Sequence, residues 1–267
     1  MLDAALELLA EQGVTVGLDG LQLEDVIRRA DVSRTSAYRR WSTREAFLED
    51  VLVELAHGAD LDDVGARVGV EGAALLDRRR ADLATPAGRN DLFVELLRLS
   101  FQTDLEATLD SPHFQTYLAL RAAFAGVPSD ELRATLAAAL ARSERRAVAR
   151  GSAVLTGACR LFGLRLAGPL GGGPDGATTL NRAVAAVTTG FVVAARADPE
   201  VVRGTQQLAP YGTVRPAAWS VPALTLTGLV LANVEPDPDA EPVDVDDLLS
   251  RLPALVQVGA AAAAAAT

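Results

Sequence analysis

The sequence contains no lysine, so all 25 of its basic residues are arginines. Every contact with an anion must therefore use a guanidinium, which is planar, permanently charged and able to bind two oxygens at once. The single cysteine, Cys159, excludes a disulfide within the chain and a metal site built from several cysteines. A chain of this kind suits a reducing compartment, and we expect a cytoplasmic protein.

Aromatic residues make up only 4% of the chain, whereas hydrophobic residues make up 49% and alanine is abundant. This composition favours helices with a largely aliphatic core. The longest uncharged apolar stretches, residues 183–195 and 222–234, have 13 residues each and are too short to cross a bilayer. The N-terminus also lacks the basic segment of a secretory signal. We expect these stretches to be buried helices of a soluble protein.

Residues that could carry catalysis or hold a metal are few and scattered. Neither His57 nor His113 has a neighbour at the spacing of a metal site or a catalytic triad. The glycine-rich segment 168–176 lacks the lysine of a phosphate-binding loop. The acidic segment 235–247 lacks the central glycine and the terminal glutamate of a calcium loop. The sequence therefore predicts no catalytic residue, no metal, no cofactor and no enzymatic activity.

Apolar residues recur at helical spacing through the first 57 residues. The predicted buried face of the first helix consists of Leu2, Ala5, Leu6 and Leu9, and that of the second of Leu23, Val26, Ile27 and Ala30. A third helix is predicted after Ser33, a good N-cap, and a fourth after Ser42, which has the capping-box spacing with Glu45. The buried face of the fourth consists of Leu48, Val51, Leu52 and Leu55.

Longer helices are predicted beyond residue 58. They lie near 60–84, 90–109, 112–125, 129–165, 177–197, 221–233 and 244–257. Strand patterns are nearly absent, with only a weak alternation at 223–231. The change in composition predicts a small helical domain over residues 1–57 and a larger one over 58–258. The alanine-rich tail, 259–267, has no packing pattern and is excluded from the fold.

Positive charge is concentrated between residues 26 and 44, which hold six arginines against the single acid Asp31, a balance of +5. Because the whole chain carries a formal charge of −10, the remainder carries −15. Such segregation indicates a polyanion that is bound at one place and repelled elsewhere. A solvated, arginine-rich helix face is the alternative, since runs of charge are often simply exposed surface.

The order of the elements favours the polyanion. Two short helices flank a tight turn at Asp31, a residue that tolerates the left-handed backbone better than most non-glycine residues. In a helix-turn-helix arrangement the second helix enters the major groove of DNA. Ser33 would cap that helix, and its N-terminal end would present Arg34, Thr35 and Ser36 to base edges or phosphates.

The segments "LELLAEQG" and "LEDVIRRADVSRTSAYRRWSTREAFLEDVL" resemble the TetR/AcrR family of transcriptional regulators over about residues 2–55. The residues that fit the family pattern are Val26, Ala30, Val32, Ser33, Tyr38, Trp41, Glu45 and Leu48. The departures are Asp31 for the turn glycine, Thr35 for a frequent glycine, Arg44 for a lysine, a longer connector at 14–20 and a missing basic arm before the first helix.

The resemblance implies an all-α, TetR-like fold. A three-helix head would bind DNA, and the fourth helix would connect it to a larger domain for ligand binding and dimerisation. The implied DNA-binding residues are Ser33, Arg34, Thr35, Ser36, Tyr38, Arg39 and Arg44, with Tyr38 and Arg44 on phosphates. Possible backbone contacts, or simply solvated side chains, are Arg28, Arg29, Arg40 and Thr43. Trp41 is expected in the core between the third and fourth helices.

The resemblance also implies a small-molecule pocket in the larger domain. Its candidate lining residues, for which plain core packing is the alternative, are Phe93, Phe101, Gln102, Phe114, Tyr117 and Phe124. The expected protein is a homodimeric repressor, joined through residues 177–197 or 221–233, that a small apolar or amphipathic ligand releases from a palindromic operator. A helical interaction module with a degenerate helix-turn-helix and an unrecognised enzyme are the alternatives.

Overall fold

A computed structural model of the chain describes residues 1–12, 20–58, 65–124, 127, 129–240 and 243–266. It divides into two compact units. The N-terminal unit comprises Met1–Asp62 and Asp110–Glu144, and the C-terminal unit comprises Asp63–Leu109 and Arg145–Thr267. Residues 110–144, which the sequence analysis assigned to the larger domain, thus group with the first helices. The predicted all-α class is confirmed.

The described helices have the following bounds in chain order. They are α1 (Leu2–Gln12), α2 (Leu23–Arg29), α3 (Arg34–Arg40), α4 (Arg44–Gly58), α5 (Gly65–Arg78), α6 (Pro86–Asp110), α7 (Pro112–Phe124), α8 (Asp130–Leu161), α9 (Gly168–Gly171), α10 (Gly176–Ala197), α11 (Glu200–Arg203), α12 (Val221–Leu231), α13 (Val245–Arg251) and α14 (Leu255–Ala265). A short 3-10 helix, Arg80–Ala84, follows α5. The predicted connector at 14–20 lies almost entirely outside the described residues, as do the side chains of His57 and His113.

The core of the N-terminal unit lies where α4 packs against α1 and α7. Phe47 and Val51 of α4 are fully buried, whereas the predicted Leu48 and Leu52 are half-buried. In α1 the buried side chains are Ala4, Ala5, Leu8 and Leu9. The predicted Leu2 and Leu6 are only half-buried, because α1 contacts both α2 and α4 and its buried face is displaced accordingly.

The main core cluster of the C-terminal unit is largely aliphatic and includes the aromatic pair Phe93 and Phe162, whose ring centroids lie 5.2 Å apart. Trp219 is buried in a second, smaller cluster. Two antiparallel ribbons were missed in the sequence. Strand β1 (Leu164–Leu166) pairs with β4 (Val234–Pro236), and β2 (Thr205–Leu208) pairs with β3 (Ala217–Ser220). Strands of three and four residues are too short for the period-two pattern. The weak alternation at 223–231 belongs instead to helix α12, which Ser220 caps.

A buried ion pair anchors the turn between β2 and β3. The Asp91 carboxylate is 4% exposed and pairs with Arg79, whose Nε also donates to Asp82 at 2.7 Å. The other oxygen of Asp91 accepts from the backbone amide of Val214 at 2.9 Å. A buried carboxylate is tolerated when its oxygens are satisfied in this way.

The C-terminus is ordered as a helix, so its exclusion from the fold was wrong. The predicted helix 244–257 is broken at Pro253 into α13 and α14. Gly259 and Ala263 of α14 are buried. A Cβ atom added to Gly259 would lie 2.8 Å from Cγ2 of Val154, so the small side chains allow α14 to approach α8 closely.

Within the described ranges, no single helix is both long enough and apolar enough to cross a membrane. One pair taken together, α13 with α14, meets the length and composition criteria and is bent by 49°.

Candidate nucleic-acid interface

Helix α2 ends in a Schellman motif, which sets the direction of the chain into α3. Asp31 adopts the predicted left-handed conformation, with φ of +50°. Its amide donates to the carbonyl of Arg28 at 3.4 Å, and the amide of Val32 donates to the carbonyl of Ile27 at 3.3 Å. These two bonds satisfy carbonyls that the end of a helix otherwise leaves without partners.

Helix α3 is capped by Ser33, as predicted. The Ser33 Oγ accepts from the backbone amide of Ser36 at 3.1 Å and lies 2.8 Å from the Ser36 Oγ. Of the seven residues of α3, only Ala37 is buried. The helix therefore presents an almost wholly polar surface made of Arg34, Thr35, Ser36, Tyr38, Arg39 and Arg40.

Trp41 lies in the core, as predicted. Its ring meets Phe47 of α4 edge-on, with centroids 5.1 Å apart, and its Nε1 donates to Asp50 at 2.8 Å. The expected cap at Ser42 was wrong, because Thr43 accepts from the amide of Ala46 at 3.1 Å and α4 begins at Arg44. The helix thus starts one residue later than the capping-box spacing indicates.

Four of the six arginines in the basic segment pair with carboxylates that lie outside it in sequence. Arg28 pairs with Asp25 at 2.8 Å, Arg29 with Glu7 at 3.1 Å, Arg34 with Glu24 at 2.8 Å and Arg40 with Asp50 at 3.8 Å. Arg44 donates from Nη2 to the carbonyl of Leu21 at 3.1 Å. When these neighbouring acids are included, the net positive charge around the six arginines is smaller than the +5 counted along residues 26–44.

Glu24 of α2 contacts two predicted DNA-binding residues at once. Its Oε2 accepts from Arg34, and its Oε1 accepts from the hydroxyl of Tyr38 at 3.1 Å. The hydrogen bond to Glu24 and the negative charge of this carboxylate raise the pKa of Tyr38 above its ordinary value. In this contact the Tyr38 hydroxyl is the donor and the Glu24 carboxylate is the acceptor. Sequence reasoning missed Glu24, because an acid in the first turn of a helix is common and carries no signal of its own.

The six predicted pocket residues divide between the two units. In the N-terminal unit, Phe114 and Tyr117 are buried, with ring centroids 5.5 Å apart, and Phe124 lines a groove of about 210 Å³. Burial and a hydrogen bond to Glu144 raise the pKa of Tyr117 to about 12. In the C-terminal unit, Phe93 and Phe101 belong to the core, and Gln102 accepts from Ser220 at 2.5 Å.

A larger cleft, of about 470 Å³, lies in the C-terminal unit beside β1 and β4. None of the six predicted residues lines it; its walls are formed by Thr156, Cys159, Arg160, Leu164, Arg165, Leu166, Gly168, Leu170, Gly171, Gly173, Glu235 and Asp237. Burial raises the pKa of the Cys159 thiol to about 12, so this side chain is a neutral part of the wall.

An exposed polar helix that follows a tight turn and packs through one small residue is the recognition element of helix-turn-helix proteins. Helices α2 and α3, with the turn between them, therefore form a helix-turn-helix. Residues 1–51 match the family model described as bacterial regulatory proteins, tetR family. The match covers the helix-turn-helix region and supports a DNA-binding transcriptional regulator of the TetR family. No curated protein and no solved structure matches the chain.

The left-handed turn gives a prediction about the stability of the head. Asp31→Gly should stabilise α2 and α3 by about 0.5 kcal/mol, because glycine removes a conformational cost of about 1–2 kcal/mol but adds entropy to the unfolded chain. Asp31→Val should destabilise them by at least about 1 kcal/mol, since a β-branched residue tolerates this conformation poorly. Hydrogen exchange of the α2 and α3 amides measures both effects. If both variants destabilised α2 and α3 to the same extent, the left-handed backbone at residue 31 would not be the source of strain.

Proposed function

We propose that the protein is a cytoplasmic repressor that binds a palindromic operator as a homodimer and is released by a small apolar or amphipathic ligand. The observation that carries the DNA part is the surface of α3, where six polar side chains surround a single buried alanine. Repression and release by a ligand follow the family resemblance, and the features below support dimerisation and ligand binding.

The DNA-binding surface is proposed to consist of α3 and the start of α4. Arg34, Thr35, Ser36 and Arg39 face the groove, with Ser33 and Tyr38 on the phosphates nearby. The N-terminus of α4, with Thr43 and Arg44, supplies further phosphate contacts. Arg28, Arg29 and Arg40 are proposed to contribute weaker contacts with the DNA backbone; each of their guanidiniums, like that of Arg34, faces a carboxylate.

A stripe of small and apolar residues on α10 supports the homodimer. Ala186, Gly190, Val193 and Ala197 are all exposed and recur at intervals of four, three and four residues, which places them on one face of the helix. Val193 is 54% exposed, and a Cβ atom added to Gly190 would contact nothing within 4 Å. The alternative segment 221–233 is a weaker candidate, since α12 buries Pro222, Ala223, Leu226, Thr227 and Val230.

The ligand is proposed to occupy the cleft beside β1 and β4. Its volume of about 470 Å³ lies within the range of small-molecule sites. Leucines 164, 166 and 170 offer apolar contacts, and Arg160, Glu235 and Asp237 offer charged ones. This mixture suits an amphipathic molecule better than a purely apolar one.

Arg39 tests the DNA-binding surface, since among the described residues no carboxylate pairs with it. Arg39→Ala should weaken binding to an operator selected from genomic fragments by about 1–3 kcal/mol if the guanidinium contacts a base. Fluorescence anisotropy of the labelled duplex measures the loss. Arg251→Ala removes the same charge from an exposed arginine of the C-terminal unit and should leave affinity unchanged. Equal losses in both, or no salt-sensitive binding by the wild type, would contradict the proposal.

Val193 tests the homodimer. Stable interfaces of this kind bury about 2,000 Å² or more, and a charge at the centre is not tolerated. Val193→Arg should therefore give monomers with lowered operator affinity and an unchanged fold, because the side chain is exposed within the subunit. Molar mass by light scattering is the measurement. Val214→Arg, at a valine that is 81% exposed, is the control and should stay dimeric. A monomeric wild type with full operator affinity rules the dimer out.

Gly173 tests the ligand cleft. A thermal-shift screen should find amphipathic compounds that raise the melting temperature and lower DNA affinity, since binding to the two sites is reciprocal. Gly173→Trp should abolish both effects by filling the cleft. Gly172→Trp is the matched control, because Gly172 does not line the cleft and the added Cβ meets nothing within 4 Å at either glycine. Compounds that still act on Gly173→Trp bind elsewhere.

A further inference from the structure

The carboxylate of Glu24 lies between two donors of α3, where a bound phosphate could accept the same hydrogen bonds. Arg34 and Tyr38 lie one helical turn apart on α3, so their side chains reach the same side of the helix. Their donor groups converge on the two oxygens of Glu24 at 2.8 and 3.1 Å. A phosphodiester also offers two anionic oxygens to an arginine and a hydroxyl. DNA and Glu24 therefore require the same donors.

Glu24 cannot take part in the contact with a phosphate itself. An ionised carboxylate is only an acceptor of hydrogen bonds, and a phosphate oxygen is only an acceptor as well. A phosphate that reaches Arg34 must therefore displace the carboxylate or meet its repulsion. Glu24 and Arg34 are both well exposed, with side-chain exposures of 43% and 75%, and exposed pairs contribute little to stability. Displacement is therefore easy and does not disturb the fold.

We propose that Glu24 is an intramolecular competitor of DNA, which holds Arg34 and Tyr38 away from phosphates and so lowers the affinity for DNA of unrelated sequence. The proposal rests on the assignment of α3 as the DNA-binding surface. Binding to arbitrary sequences depends almost entirely on phosphate contacts, so the loss of two phosphate donors lowers its affinity directly. An operator offers base contacts in addition, which compensate for the displacement of Glu24.

A second acid in the same helix turn provides a matched control. Asp25 neighbours Glu24 in sequence and pairs with Arg28 at 2.8 Å, on α2 itself. Glu24→Gln and Asp25→Asn each raise the net charge by one, each frees one arginine and each replaces a carboxylate by an amide of similar size. Only Glu24→Gln frees the donors of α3. A difference between the two variants therefore measures competition rather than overall charge.

The experiment measures binding of the full-length protein to a duplex of random sequence over a series of salt concentrations. Glu24→Gln should bind about two- to tenfold more tightly than the wild type at low salt. The plot of log affinity against log salt concentration should steepen by about one unit, because Arg34 becomes free to neutralise a phosphate. Asp25→Asn should change both quantities less, because it frees only Arg28, for which a weaker contact with the backbone is proposed. Glu24→Gln added to Arg34→Ala should have a smaller effect than in the wild type, since only Tyr38 remains to be released.

Each other outcome counts against competition. If Glu24→Gln and Asp25→Asn strengthen binding equally, the effect is one of net charge. If Glu24→Gln weakens binding, Glu24 positions the donors instead of competing for them. If the wild type and every variant fail to bind any duplex, the proposed function fails along with the inference. If the wild type binds and Glu24→Gln does not differ from Asp25→Asn, the inference alone fails.

A spectroscopic titration tests the contact without DNA. The chain has three tyrosines, so subtracting the ultraviolet titration of Tyr38→Phe isolates Tyr38. Glu24 raises the pKa of Tyr38, and Glu24→Gln should therefore lower its titration midpoint. Asp25→Asn should leave that midpoint in place. An unchanged midpoint in Glu24→Gln would mean that the carboxylate does not hold Tyr38 in solution, which overturns the inference.

Discussion

The left-handed turn at Asp31 is the constraint on which the DNA-binding surface depends. It closes the Schellman motif of α2 and directs the chain into α3, where Ser33 caps the next helix. A seven-residue helix is too short to be stable by itself. Helix α3 therefore depends on the contacts that hold its two ends in place. With Ala37 as its sole buried residue, α3 leaves its remaining side chains exposed at the surface.

The head separates the residues that stabilise it from those proposed to bind DNA. Stability comes from buried apolar side chains such as Val26, Phe47 and Val51, none of which reaches the surface. The charged pairs of Arg28, Arg34 and Arg40 are exposed, and pairs of this kind are each worth at most about 1 kcal/mol. Acids among the arginines therefore change the stability of the fold little. Their main effect is to lower the positive electrostatic potential of the surface proposed to bind DNA.

Local signals in the sequence predicted the head well, because they describe interactions between near neighbours. The cap at Ser33, the left-handed Asp31 and the burial of Trp41 each depend on a few adjacent residues. The contact of Glu24 with Tyr38 joins positions 14 apart, and nothing in the local pattern indicates it. A charge balance counted along residues 26–44 likewise omitted the acids that lie opposite the arginines in space. The assignment of residues to DNA stays a prediction.

Beyond the head, the fold depends on contacts that are remote in sequence, and there the sequence was least informative. Strands β1 and β4 pair across about 70 residues, as the ion pair of Arg165 with Glu235 illustrates, and each is too short to be recognised alone. The alanine-rich tail lacks a hydrophobic pattern because its residues contribute by being small: Gly259 lets α14 lie against α8, and Ala263 is also buried. Small residues such as Gly259 give no hydrophobic periodicity, so their role becomes clear only when the surface that they pack against is known. Gly190 on α10 is a further small residue of this kind. The sequence pointed to residues 177–197 as a whole, whereas the fold shows which small residues of α10 share one exposed face, and the proposed dimer contact depends on that arrangement.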